Sequence, residues 1–183
     1  MRVIAGGAWG FAASPAVEPK AAARAATLAV AIAKESSRVL VTPVVLAPAP
    51  VVVDVWQTAL TKDPFKIPLE DKAEFLFAIN RDAMKAPGVK FCTSSIQTLG
   101  EWKLLATSEG SYIEQSITRI APRFMATAVD AQAGEFVTRT HELPAMQAGW
   151  EYVEHSPLLA DARRIGEDAV EKLKAAKIGR AHV

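Results

Sequence analysis

Residues 89–140, VKFCTSSIQTLGEWKLLATSEGSYIEQSITRIAPRFMATAVDAQAGEFVTRT, decide the fold. Thr, Ser, Ile, Val and aromatic residues dominate the segment, and Gly100, Gly110 and Gly134 fall in the turn-like stretches TLGE, SEGS and AQAGE. Strand formers interrupted by turn chemistry at short intervals predict an antiparallel meander. The pattern places strands over 89–98, 102–107, 112–120 and 123–129, with a short fifth over 136–140.

Upstream, Pro68 opens a helix that carries Leu69, Phe75, Leu76 and Ile79 on its apolar side and closes before Pro87 and Gly88. Before it, Val51, Val53 and Val55 alternate with Val52, Asp54 and Trp56, a period-two pattern that predicts a strand reaching about Thr58, followed by an Asp63–Pro64 turn. At the start of the chain, apolar runs over 3–5 and 8–13 flank Gly6 and Gly7, the pattern of a strand pair. Ser14 as N-cap and Pro15 in the first turn then predict a helix over 16–36, with Leu28 and Ile32 on one face and Lys20, Arg24 and Lys34 toward solvent. Downstream, Pro144 and Gly149 mark 143–156 as a loop, and a last helix runs over 158–177. Strands, helix, strand, helix, meander and helix in that order define an α+β fold, an antiparallel sheet packed with three helices.

Composition agrees with a globular unit: 183 residues, 50% hydrophobic, 22% charged, formal net charge +1. A near-neutral chain has no global electrostatic pull toward nucleic acid or an anionic membrane. The uncharged run VLVTPVVLAPAPVVV over 39–53 is too short to span a bilayer and is broken by Pro43, Pro48 and Pro50. The single cysteine, Cys92, excludes an internal disulfide and a multi-cysteine zinc site.

The residues that carry chemistry form no catalytic constellation. Gly6, Gly7 and Gly10 match neither phosphate-binding glycine pattern and read as a backbone turn. Cys92, beside Phe91 in a strand with no positioned base, reads as a small buried hydrophobe. His141 and Glu142 begin like a zinc-binding H-E-x-x-H, but Ala145 and Met146 stand where a second histidine belongs and Pro144 breaks the helix. Glu151, Glu154 and His155 give E-x-x-E-H, which lacks the first histidine of the inverted zinc motif and reads as solvated loop polarity. Trp9, Trp56, Trp102 and Trp150 are scattered without interleaved cations, which favours core packing over a base-stacking surface.

Several blocks resemble the TldD/PmbA family of metallopeptidases, long described as modulators of DNA gyrase. They are RVIAGGAWGFAAS (2–14), the helix ending VAIAKESS (30–37), KDPFKIPLEDKAEFL (62–76) and ATSEGSYIEQSITRIAPRFMATAVD (106–130). The aromatic GAWGFA at 7–12 is similar to the TldD branch. The resemblance implies that 1–177 is the family's N-terminal α+β domain, incomplete at its start. The metal domain, with an H-E-x-x-x-H helix and a later cysteine holding zinc, is absent from the chain. No catalytic or metal residue is therefore carried over, and the substrate-binding residues stay unassigned. The implied role is a scaffold that admits unfolded or modified peptides to a cytoplasmic zinc metallopeptidase, paired with a PmbA-type or identical subunit. The alternative is a non-catalytic PmbA-type partner. The final IGRAHV (178–183), which contains His182, equals the translation of a sequencing adapter, so an artificial tail on an assembly fragment is expected.

Overall fold

The computed structural model describes residues 1–141 and 143–175, so Glu142, His182, the expected tail and the end of the last helix lie outside the described residues. The chain forms an α+β fold that divides into two compact units, Met1–Pro50 and Val51–Val183, where the sequence reads as one domain over 1–177.

In the first unit, β1 (Arg2–Ala5) and β2 (Ala8–Phe11) make an antiparallel hairpin in which Ala5 pairs with Ala8. The two-residue turn is Gly6–Gly7, both with positive φ, which glycine adopts without a Cβ penalty. Helix α1 (Pro19–Ser37) lies on the hairpin through Ala21, Ala29 and Ala33. A Cβ on Gly10 would run into the Ala29 carbonyl, so only glycine permits this approach of strand and helix. The helix starts at Pro19, one turn later than Ser14 and Pro15 predict. A helix begun at residue 16 would put Pro19 at its fourth position, just past the tolerated first turn, where its ring meets the carbonyl of residue 15 and its missing N–H costs a bond. Ser14 instead accepts a hydrogen bond from the Ala16 N–H. Because the buried stripe is alanine, Leu28 and Ile32 fall on the outer face and are exposed.

The second unit holds β3 (Val53–Gln57), α2 (Leu69–Ala83), β4 (Val89–Ala106), β5 (Tyr112–Asp130), β6 (Glu135–His141), α3 (Glu151–Glu154) and α4 (Leu158–Leu173). β5 is central: β4 pairs with it antiparallel along nearly its whole length, while β3, parallel, and β6, antiparallel, share its other side. The four strands expected over 89–129 are therefore two long ones. Gly100 continues β4 opposite Thr118, and the ring of Phe65 occupies the space its side chain would fill. Pro122 continues β5 for a different reason. The N–H and C=O of Ile120 face away from β4 and exchange 2.9 Å bonds with Met146. The nitrogen and C=O of Pro122, two residues on, face the same side, after the last β3 pair at Ser116 and before the first β6 pair at Phe124. Its missing N–H thus costs no ladder bond.

Even-numbered residues of β5 from Thr118 to Ala128 point into the core. Ala126 and Ala128 are small enough for α4 to pack closely on β5, while α2 lies on β4 and against α4, with Phe124, Ile79, Leu158 and Ile165 filling the space between. A second cluster joins Ile120, Trp150 and Val153, with Phe75 set edge-on to Trp150 at 6.1 Å between ring centroids. The region read as a loop over 143–156 contains α3, too short to show a hydrophobic period. Of the four tryptophans only Trp150 is buried; Trp9, Trp56 and Trp102 are exposed, which corrects the core reading for those three. No described helix is long and apolar enough to cross a membrane.

Candidate functional site

Cys92, Glu151, Glu154, His155 and His141, singled out in the sequence, each have an identifiable structural place. Cys92 lies on the helix-covered face of β4, packed against the core, and burial raises its thiol pKa, which disfavours the thiolate. Glu151 closes the loop on which it stands: its carboxylate accepts the N–H groups of Lys62 and Gly149, each at 2.9 Å. Burial alone would raise its pKa, but those backbone donors outweigh it and leave the carboxyl lowered. Glu154 is held by the Lys62 ammonium, and His155 is exposed at the end of α3.

His141 is the only one of these placed in a polar network inside the fold. Its side chain is 8% exposed beneath β6, and its Nε2 lies 3.1 Å from the Asp161 carboxylate on α4. Asp161 also takes Arg164 at 3.0 Å, and Arg164 bridges onward to Asp168 at 3.3 Å. The hydrogen bond from His141 and that from Arg164 lower the Asp161 pKa. His141 Nδ1 is buried without a hydrogen-bond partner. A metal would need further donors converging on that nitrogen, and among the described residues no group of three or more His, Cys, Asp or Glu is disposed to hold an ion. The described residues do not fit a catalytic metal centre; the network fastens β6 to α4.

What the fold leaves unused is the other face of the sheet. In-register pairing puts Phe91 beside Thr127 and Thr138, Thr93 beside Met125 and Thr140, Ser95 beside Arg123, and Val129 beside Phe136. No described helix of this unit covers these rows, and within it Phe91 (65%) and Phe136 (73%) stand far into solvent. Thr127 and Thr138 share a 2.9 Å hydrogen bond across the strands. The surface alternates apolar side chains with hydroxyls and one guanidinium, which suits an amphiphilic chain that offers both backbone polar groups and side-chain apolar area. A strand over 89–98 was readable in the sequence; which face the helices would leave open was not.

The sequence of this unit matches a known family. The family model of the PmbA/TldA metallopeptidase central domain covers residues 62–177. The chain belongs to the PmbA/TldD metallopeptidase family. A metalloprotease of Methanothermobacter thermautotrophicus is 30% identical over 175 residues, covering 96% of this chain and 36% of that relative. The chain thus spans about a third of the length of the curated relative it matches. The matched model describes the central domain, whereas the resemblance in the sequence pointed to the N-terminal one.

Proposed function

We propose that this chain is a scaffold and substrate-admission part of a cytoplasmic zinc metallopeptidase, and that the uncovered sheet face receives unfolded peptide. The uncovered rows around Phe91, Met125 and Phe136, on a family unit without fitting metal ligands, carry this reading. Threonine and serine hydroxyls between apolar side chains hydrogen-bond a peptide backbone without reading its sequence, and the phenylalanines take whatever apolar side chains it presents. The metal and its ligands belong to residues outside this chain, in keeping with the much greater length of the metalloprotease relative.

The test is to incubate this chain with zinc and a fluorescently labelled unfolded peptide, reading binding by anisotropy and cleavage by mass spectrometry. Binding without cleavage is the expected result. Cleavage by this chain would overturn the scaffold role, and failure to bind would overturn the peptide-receiving face.

A further inference from the structure

On the uncovered face, the rows that start at Phe91, Thr93, Ser95 and Gln97 hold a single charged side chain among the described residues, Arg123. Register sets it beside Ser95, with Thr93 and Met125 in the row on one side and Gln97 and Ala121 in the row on the other. It is exposed, and among the described residues it makes no hydrogen bond or ion pair. The next cation along β5 on this face is engaged: Arg119 donates to the Glu101 carboxylate at 2.9 Å, and Lys103 meets the same group at 3.0 Å. Arg123 is thus an unpaired guanidinium among hydroxyl, amide and apolar side chains, with no described anion in its rows.

We propose that Arg123 binds the C-terminal carboxylate of the unfolded peptide and so fixes the direction in which the peptide lies on the sheet, an inference that rests on the peptide-receiving reading of this face. Side-chain anions differ from one unfolded peptide to the next, but every chain with a free end carries a terminal carboxylate. A guanidinium matches that group with two parallel N–H donors, and the neighbouring Ser95 hydroxyl can donate to it as well. The exposed phenylalanines of this face lie to one side of the cation. Thr127, in register with Phe91, is four residues along β5 from Arg123, about 14 Å of extended chain. Two residues farther, Val129 pairs with Phe136. With its carboxylate at Arg123, the peptide runs antiparallel to β5 and presents residues about four to six from its end to the two rings.

The test is fluorescence anisotropy with the full 183-residue chain and an unfolded peptide free of Asp and Glu, labelled at its N-terminus and made as the C-terminal acid and as the C-terminal amide, at low ionic strength. The acid is expected to bind about fivefold more tightly, the scale of a solvent-exposed charge pair, and added salt narrows the difference. Arg123→Gln is expected to abolish the difference by weakening the acid alone, and Arg123→Lys to keep part of it, since lysine has the charge without the planar fork. The comparison of acid and amide on the native chain does not depend on any variant folding. Equal affinity for acid and amide would overturn the anchor while leaving the peptide-receiving face standing; binding of neither would overturn both. A difference that survives in Arg123→Gln would place the carboxylate elsewhere. An internal glutamate that restores the affinity of the amide would overturn the terminal assignment, and so would a difference that emerges only in Glu142→Gln, since Arg123 would then be occupied by a carboxylate of its own chain.

Discussion

Gly166 of α4 faces the main chain of Ala83 at the end of α2 so closely that a Cβ built on it would stand 2.6 Å from the Ala83 carbonyl oxygen. That oxygen accepts the Ala86 N–H at 3.2 Å, so the two helices cannot part without disturbing the turn that leads α2 into β4. Gly166→Ala gains helix propensity yet is expected to lose about 1–3 kcal/mol through overpacking. A lower urea midpoint with unchanged m-value checks this; an unchanged or higher midpoint would show that the helices have room to move.

Trp150 is 4% exposed, sits edge-on to Phe75 and joins the loop before α3 to the sheet at Ile120. Trp150→Ala empties the centre of that cluster and is expected to cost about 3–5 kcal/mol, read by circular dichroism during urea unfolding. Trp102→Ala, at an exposed site, should change the monomer's stability by about 0.5 kcal/mol or less. Equal losses for the two would contradict the packing described.

The tie between β6 and α4 gives a signed pH dependence. The Asp161 carboxyl is lowered by its hydrogen bonds to His141 and Arg164. A group depressed in the folded state contributes stability above its unfolded pKa, about 3.9 for aspartate, and loses it as pH falls through the folded value. The stability gap between the native chain and Asp161→Asn should be full at neutral pH and close on acidification below about pH 4. A gap that stays constant from pH 7 to pH 3 would mean that the charge of Asp161 does not support the fold.

Much of the architecture was legible because local chemistry and global packing agree. Gly6–Gly7 can make the tight hairpin turn, the Ile79 face of α2 is apolar on a helical period, and β5 alternates over its buried half. Gly100 and Pro122 misled because each has a tertiary reason to lie within a strand: an aromatic ring in place of a side chain, and a gap between neighbouring strands. The parallel pairing of β3 with β5 and the late start of α1 at Pro19 were missed, the first because a strand's own pattern does not name its neighbour. At the candidate site the spacing of His141, Glu142 and His155 completes no zinc motif. The uncovered face was not legible in the sequence, since exposure of Phe91 and Phe136 depends on where α2 and α4 pack.

The most direct measurement of the peptide-receiving role is the affinity of a labelled unfolded peptide for the native chain and for Phe91→Ser/Phe136→Ser, by fluorescence anisotropy at matched, verified fold stability. Both side chains lie on the solvent side of the sheet, so the exchange removes apolar contact area without opening the core. The expected result is binding by the native chain, weakened about tenfold or more in the variant. Equal affinity for the two proteins, or no binding by the native chain, would contradict the assignment of that face.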